Sequence, residues 1–240
     1  MNMRRFVFAA GAVCLAGYFA LVRRRVLTWG ASDAEATSRL PGDELLEDPD
    51  GVATRAIEIR APASAVWPWI AQMGPSPRGG AYTYDWIENL LGLNMHSADA
   101  VLPEFQHPVV GDTIGYGGNR MRLERVEPER ALAWRSQDGN WVWTFVLNQA
   151  NGTTRLISRN RFRLPRMIDR IGMVPMEFAS LLMERKMLLG IKERAEQLSV
   201  AGGDDVSASG PTRAGRYEPQ HDFGVARHAQ MMREASHGAY

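Results

Sequence analysis

Residues 78–104, RGGAYTYDWIENLLGLNMHSADAVLPE, gather Tyr82, Tyr84, Asp85, Trp86, Glu88, Asn89, His96 and Asp99 into one stretch behind a Gly-Gly break. That is more aromatic and polar chemistry than a core-filling segment needs, so the block is the first candidate for ligand contact. A short helix fits from Tyr84 or Asp85 to Leu91, stopped by Gly92. Upstream, residues 54–60 alternate, with Ile57 and Ile59 against Ala56, Glu58 and Arg60, as a half-buried strand does. A helix then opens at Ala61-Pro62-Ala63-Ser64 and runs to about Met73. Val66, Trp67, Ile70 and Ala71 lie at helical spacing in it, and Pro68 near the first turn. Downstream of Pro103 the period becomes two. Strands are expected at 113–116, 121–126, 131–136, 141–148 and 154–164, separated by turn residues such as Asp138-Gly139-Asn140 and Asn151-Gly152. Connections this short imply an antiparallel meander. A long helix over 175–198 closes the pattern, with an apolar stripe that includes Phe178, Leu181, Leu182, Leu188, Leu189, Ile191 and Ala195.

The two ends of the chain have different compositions. Residues 6–22, FVFAAGAVCLAGYFALV, carry no charge and are flanked by Arg4-Arg5 and Arg23-Arg24-Arg25. As a helix they reach roughly 26 Å, and snorkelling arginines make up the rest of a hydrocarbon core. A cleaved signal peptide competes, but arginines stand where its small-residue cleavage site belongs. The expectation is a single-pass anchor over 1–25, with the globular domain leaning to the cytoplasmic side because the C-terminal flank has the extra arginine. Residues 26–52 read as a juxtamembrane connector, 53–198 as the folded domain, and 199–240 as a disordered tail. The formal net charge of +1 gives no argument for nucleic acid, and the one cysteine, Cys14, forms no intrachain disulfide. Neither a phosphate loop nor a zinc-type spacing is present, and no cofactor is expected.

Strand, helix pair, meander and long terminal helix is the order of the helix-grip fold, an α+β architecture whose curved antiparallel sheet wraps a C-terminal helix. The segments Ile57-Glu58-Ile59-Arg60-Ala61-Pro62, Ala65-Val66-Trp67-Pro68-Trp69-Ile70 and 78–92 carry a specific resemblance. They resemble an actinobacterial-type subgroup of the SRPBCC superfamily, which includes START-like, Bet v 1-like and polyketide cyclase/dehydrase-like proteins. The resemblance covers about residues 40–198. It implies a cavity between sheet and helix, and it transfers no catalytic motif.

For that cavity, Trp67, Tyr82, Tyr84, Trp86, Glu88, His96, Trp143, Ser158, Asn160 and Phe162 are the candidate ligand contacts. Ser158, Asn160 and Phe162 share the apolar face of their strand. On the opposite face Arg155, Arg159, Arg161 and Arg163 form a row expected to look outward, solvated or docked on anionic lipid. Asp85 and Glu88, three apart on one helix face, together with His96, are the acid/base candidates. Asp85 is equally well placed to brace a helix start. The leading expectation is a membrane-tethered domain that binds or carries an apolar or amphipathic small molecule, lipid or polyketide-like. A cyclase/dehydratase-like enzyme is the alternative, and a filled scaffold without ligand the third. No metal site is expected, since His96, Asp99, Glu104 and His107 make no closed ligand set.

Overall fold

The computed structural model describes residues 17–116, 119–164 and 167–208. Most of the expected anchor, and the tail beyond 208, lie outside them. Among the described residues no helix is long and apolar enough to cross a membrane. The chain forms two units, 1–203 and 204–240, and the sheet lies in the first.

Six described strands make one sheet in the order β1-β6-β5-β4-β3-β2. They are β1 (Gly51–Ile59), β2 (Thr113–Tyr116), β3 (Asn119–Glu127), β4 (Ala131–Ser136), β5 (Trp141–Ala150) and β6 (Thr153–Phe162). Every pairing is antiparallel, and the register shifts once in β3, between Leu123 and Arg125. Tight turns join β3 through β6, and β2 pairs antiparallel beside β3, so the five form a meander. The first strand returns to pair with the last, which puts the chain's two outer segments side by side. Helices α1 (Arg23–Leu27), α2 (Asp33–Thr37), α3 (Ala63–Ala71) and α4 (Asp85–Leu90) precede the meander, and α5 (Met167–Ala208) follows it. The α+β helix-grip architecture expected from the sequence is present. The final helix runs further at both ends than 175–198, with Pro175 inside it.

One face of the sheet packs on α3 and α5 in the main core. Ile59, Leu123, Trp134, Trp143, Phe145, Leu147 and Leu156 meet Val66, Trp67, Ile70, Met187, Leu188 and Ile191 there. The stripe that α5 turns inward differs from the expected one. Glu177, Glu184, Met187, Leu188, Ile191 and Ala195 are buried, whereas Phe178 is 46% and Leu182 52% exposed. The apolar-inside rule fails here because both glutamates find partners, which removes the main penalty for burying a charge.

The second face of the sheet is covered as well. Ala56, Val146 and Ile157 lie under Ala31 and Leu40, so the connector is a strap over the sheet rather than a loose tether. Ser32 caps α2 in a reciprocal capping box with Glu35. Gly30, at φ +74°, passes so close to the Ala56 carbonyl that a side chain there would collide with it. The row of arginines holds this strap, which corrects the expectation of an outward, solvated face. Arg155 Nε donates to Glu35 Oε1 at 2.8 Å. Arg159 is buried and donates to Asp43 Oδ2 at 2.7 Å, Thr54 Oγ1 at 3.0 Å, the Ser38 carbonyl at 2.8 Å and the Glu35 carbonyl. Arg161 binds the carbonyls of Leu46 and Glu47, and Arg163 that of Asp48. A segment with few apolar residues is held by charge-assisted bonds to its own backbone carbonyls.

Arg159→Met would remove the closer of the two guanidinium groups beside buried Asp43, leaving only Arg161 at 3.5 Å. It is expected to cost about 3 kcal/mol in chemical denaturation and to open the strap to trypsin at exposed Arg39 before the domain unfolds. Arg155 holds Glu35 down to about 2 from an ordinary 4.5, so this contact contributes above about 4.5 and is lost as the pH falls towards 2. Tryptic-type cleavage at Arg39 cannot report at that pH, but hydrogen exchange of 31–38 should rise there ahead of the sheet.

Candidate functional site

Register places one polar cluster inside the grip. Across the sheet Arg55 stands opposite Ser158, and Ser158 opposite Phe145; Asn160 stands opposite Ala53 and Trp143. These side chains point at α5, where Glu184 lies one turn beyond Ser180. Arg55, with no exposed surface, pairs with Glu184 Oε2. Its Nη1 also donates to Ser180 Oγ at 3.0 Å, and its Nε and Nη2 to the Val26 carbonyl at 3.3 Å. Glu184 Oε1 accepts from Ser158 Oγ at 2.5 Å and from Asn160 Nδ2 at 3.1 Å. Behind them Trp143 Nε1 donates to Ser158 Oγ at 3.0 Å and Trp141 Nε1 to Asn160 Oδ1 at 2.8 Å. Burial pushes the Glu184 carboxyl up, while Arg55 and the Ser158 and Asn160 donors oppose that shift.

Two cavities adjoin this cluster. One of about 340 Å³ lies among Leu27, Trp141, Phe162, Leu164 and Met176, with Arg55, Asn160, Glu177 and Ser180 along its side. Another of about 160 Å³ is lined by Ala81, Thr83, Glu88, Trp143, Met183, Glu184 and Met187. Trp141, Asn160 and Ser180 belong to the walls of both. A larger hollow of about 440 Å³ lies on the strap side among Arg39, Asp43, Glu47, Arg159 and Arg161. It is a polar seam in which Asp43, Arg159 and Arg161 are committed to holding the strap. Small-molecule sites are mainly apolar with a few placed polar groups, and the pair inside the grip fits that description better.

The 78–104 block supplies one wall. Tyr82, at φ +58°, is buried and donates from its hydroxyl to the Trp69 carbonyl at 2.9 Å. Its backbone rests on Gly190 of α5, where a Cβ would come within 2.8 Å of the Tyr82 carbonyl oxygen. This close approach brings α4 down beside α5 and turns Glu88 inward, 6% exposed. Glu88 Oε2 is buried with no hydrogen-bond partner among the described residues, and neither has the nearby Thr83 hydroxyl. Burial pushes the Glu88 carboxyl above its usual range; the Thr83 hydroxyl, near it but outside hydrogen-bond geometry to Oε2, opposes the shift and Asp85 adds to it.

The other expected contacts go elsewhere. Asp85 faces away from the cavity and accepts from Ser97 N at 2.7 Å and Ser97 Oγ at 2.6 Å, bracing the loop. His96 is exposed and 3.0 Å from Ser76 Oγ, so Asp85, Glu88 and His96 do not converge. Trp67 packs in the core, Tyr84 precedes α4 half-buried, and Trp86 is 69% exposed. Ser158 and Asn160 face inward as the strand's alternation requires, but their hydrogen bonds go to Glu184 and the tryptophans. Glu88, Trp143, Asn160 and Phe162 remain as cavity walls. Arg55 and Glu184 were missed; a lone arginine on the apolar phase of β1 was the available signal. Among the described residues no group of three or more His, Cys, Asp or Glu could hold a metal.

No family model and no curated protein matches the chain. Solved structures do resemble it. The polyketide cyclase-like protein Cgl2372 of Corynebacterium glutamicum is 18% identical, over 68% of this chain and 97% of that one, with a TM-score of 0.32. The Aha1 dimer of Colwellia psychrerythraea is 17% identical over 61% and 96%, at 0.35. Protein Ms6760 of Mycobacterium smegmatis is 14% identical over 65% and 95%, also at 0.35. At such scores the likeness carries no argument about chemistry, and the architecture stands on its own strand order.

Glu184→Leu should destabilise by about 3–5 kcal/mol, since it strands a buried guanidinium, while Arg55→Met with Glu184→Leu should recover most of that loss in denaturant titration. Glu88→Gln should be more stable than the parent above the ordinary Glu value of 4.5, where folding must lift the proton affinity of Glu88. The advantage should vanish below that pH, as thermal melts across pH would read.

Proposed function

We propose that this chain binds an apolar or amphipathic small molecule between the curved sheet and α5. The observation that carries this reading is the pair of adjoining cavities, about 340 and 160 Å³, apolar along Leu27, Phe162 and Met176 and ending on Glu88. Together they reach the lower part of the range for small-molecule sites. Affinity comes from apolar area removed from water, at roughly 25 cal/mol per Å² before ordering costs. Lipids or polyketide-like compounds are the class that suits such walls. Tethering to a membrane through residues 6–22, with the domain on the cytoplasmic side, is part of the proposal. Its support is the uncharged length and the arginine flanks.

One observation favours a second reading. Glu88 is a buried carboxyl with an unpartnered oxygen on a cavity wall, a suitable environment for an acid catalyst in a cyclase/dehydratase-like reaction. Conversion of a bound molecule by the parent chain and not by Glu88→Gln would move the protein into that class.

Native mass spectrometry of the purified full chain is expected to find a co-purified lipid or metabolite, or uptake of a hydrophobic probe. Met183→Trp should fill the smaller cavity and reduce that uptake at least tenfold, an order-of-magnitude expectation for lost pocket volume, with the fold retained by circular dichroism. An empty chain that also takes up no probe would end the binding reading.

A further inference from the structure

The polar groups around the two cavities specify more than apolar binding, and the inference below rests on the binding reading above. Four charged side chains line the paired cavities: Arg55, Glu88, Glu177 and Glu184. Three have partners. Arg55 and Glu184 hold each other, with Ser158, Asn160, Ser180 and the Val26 carbonyl completing the set. Glu177 accepts from Tyr18 Oη at 2.5 Å and from Arg23 Nε at 2.9 Å. The guanidinium of Arg55 is therefore committed to the protein, and neither cavity wall includes a lysine or a second arginine. Glu88 differs: it is more than nine-tenths buried, and its Oε2 lacks any hydrogen-bond partner among the described residues.

An anionic head entering this space would meet the carboxyl groups of Glu88, Glu177 and Glu184 and no uncommitted cation. It would lose its hydration without compensation, at a penalty well above the net worth of a hydrogen bond. A cationic head would have to draw Glu88 into a new buried ion pair, whose desolvation offsets most of the attraction. A neutral carbonyl or hydroxyl oxygen needs only a donor, and a protonated carboxyl is one. We infer that the site selects amphipathic molecules with a neutral, hydrogen-bond-accepting head, which the Glu88 carboxyl engages, and discriminates against fatty-acid-type anions of the same chain length. Burial raises the proton affinity of Glu88, Thr83 opposes that shift and Asp85 adds to it, so the donor form persists to higher pH than for an exposed glutamate. No bond is made or broken; the Glu88 O–H donates to the ligand oxygen, and the alkyl part lies along Phe162, Leu164 and Met176.

The test titrates the full chain, held in phospholipid nanodiscs, with decanamide, decanoate and decylammonium, using calorimetry with empty nanodiscs as the reference. Decanamide should bind about tenfold or more tightly than decanoate near neutral pH, given an uncompensated buried anion. Decylammonium should also bind more weakly than the amide. Glu88→Leu should lower decanamide affinity about fivefold, the scale of one net hydrogen bond, and bring the amide level with the other probes. Glu88→Gln keeps a donor and should retain the amide preference. As rising pH takes the proton from Glu88, the parent's affinity for decanamide should fall, and the Gln variant's should stay flat. Tighter binding of decanoate or decylammonium, or a pH response unchanged in Glu88→Gln, would overturn the inference while leaving the cavity reading intact. Uptake of none of the three would overturn both.

Discussion

Arg55 and Glu184 form an ion pair with almost no solvent around it, joining the first strand to the last helix across most of the chain's length. Two charges in the interior are tolerated only when each is neutralised and its remaining hydrogen-bonding capacity is used. Much of the grip's inner face is arranged to meet that condition. Ser158 and Asn160 on β6 donate to the glutamate, Ser180 and the Val26 carbonyl accept from the arginine, and Trp141 and Trp143 hold Asn160 and Ser158 in turn. Strand register, helix rotation and the approach of the N-terminal segment are thus tied to one electrostatic requirement. It also explains why α5 presents glutamates inward while Phe178 and Leu182 face out.

The same requirement shapes the cavity. A helix fixed at Glu184 by polar contacts cannot settle fully onto the sheet beside it, and space remains between Trp141, Trp143, Met183 and Met187. The loop of 78–84 closes that space from the side by resting on Gly190, which turns Glu88 into it. Affinity for an apolar body and selectivity for its head then arise from different elements. Sheet and helix provide the walls, and a six-residue helix provides a carboxyl with an unpartnered oxygen, beside the Thr83 hydroxyl.

On the other side of the sheet the constraint is also electrostatic, but with the opposite architecture. Arg155, Arg159 and Arg161 on one face of β6, with Arg163 just after it, reach into the strap of 30–48 and bind mainly its carbonyls and carboxylates. A strip of chain that could not bury enough apolar area by itself is ordered in this way, and both faces of β6 become interior. The groups expected to meet lipid headgroups are engaged within the chain, Arg163 through an exposed contact with the Asp48 carbonyl.

Local pattern was enough to place the strands, the short helices, the meander and the inward face of β6, because alternation and turn chemistry act over a few residues. It also marked Glu88, Trp143, Asn160 and Phe162 before any contact was known. Asp85, His96 and Trp86 carried the same spacing signal, but their side chains turn to the loop or to solvent. Burial of Arg55, Glu177, Glu184 and Arg159 was beyond its reach, since a charged residue reads as surface until its partner, here often more than a hundred residues away, is seen beside it. The sequence by itself determined the order and type of the elements and which strand face meets the helix. Only the tertiary structure decided which charges go inside, because that depends on pairing between distant segments rather than on the period of any one of them.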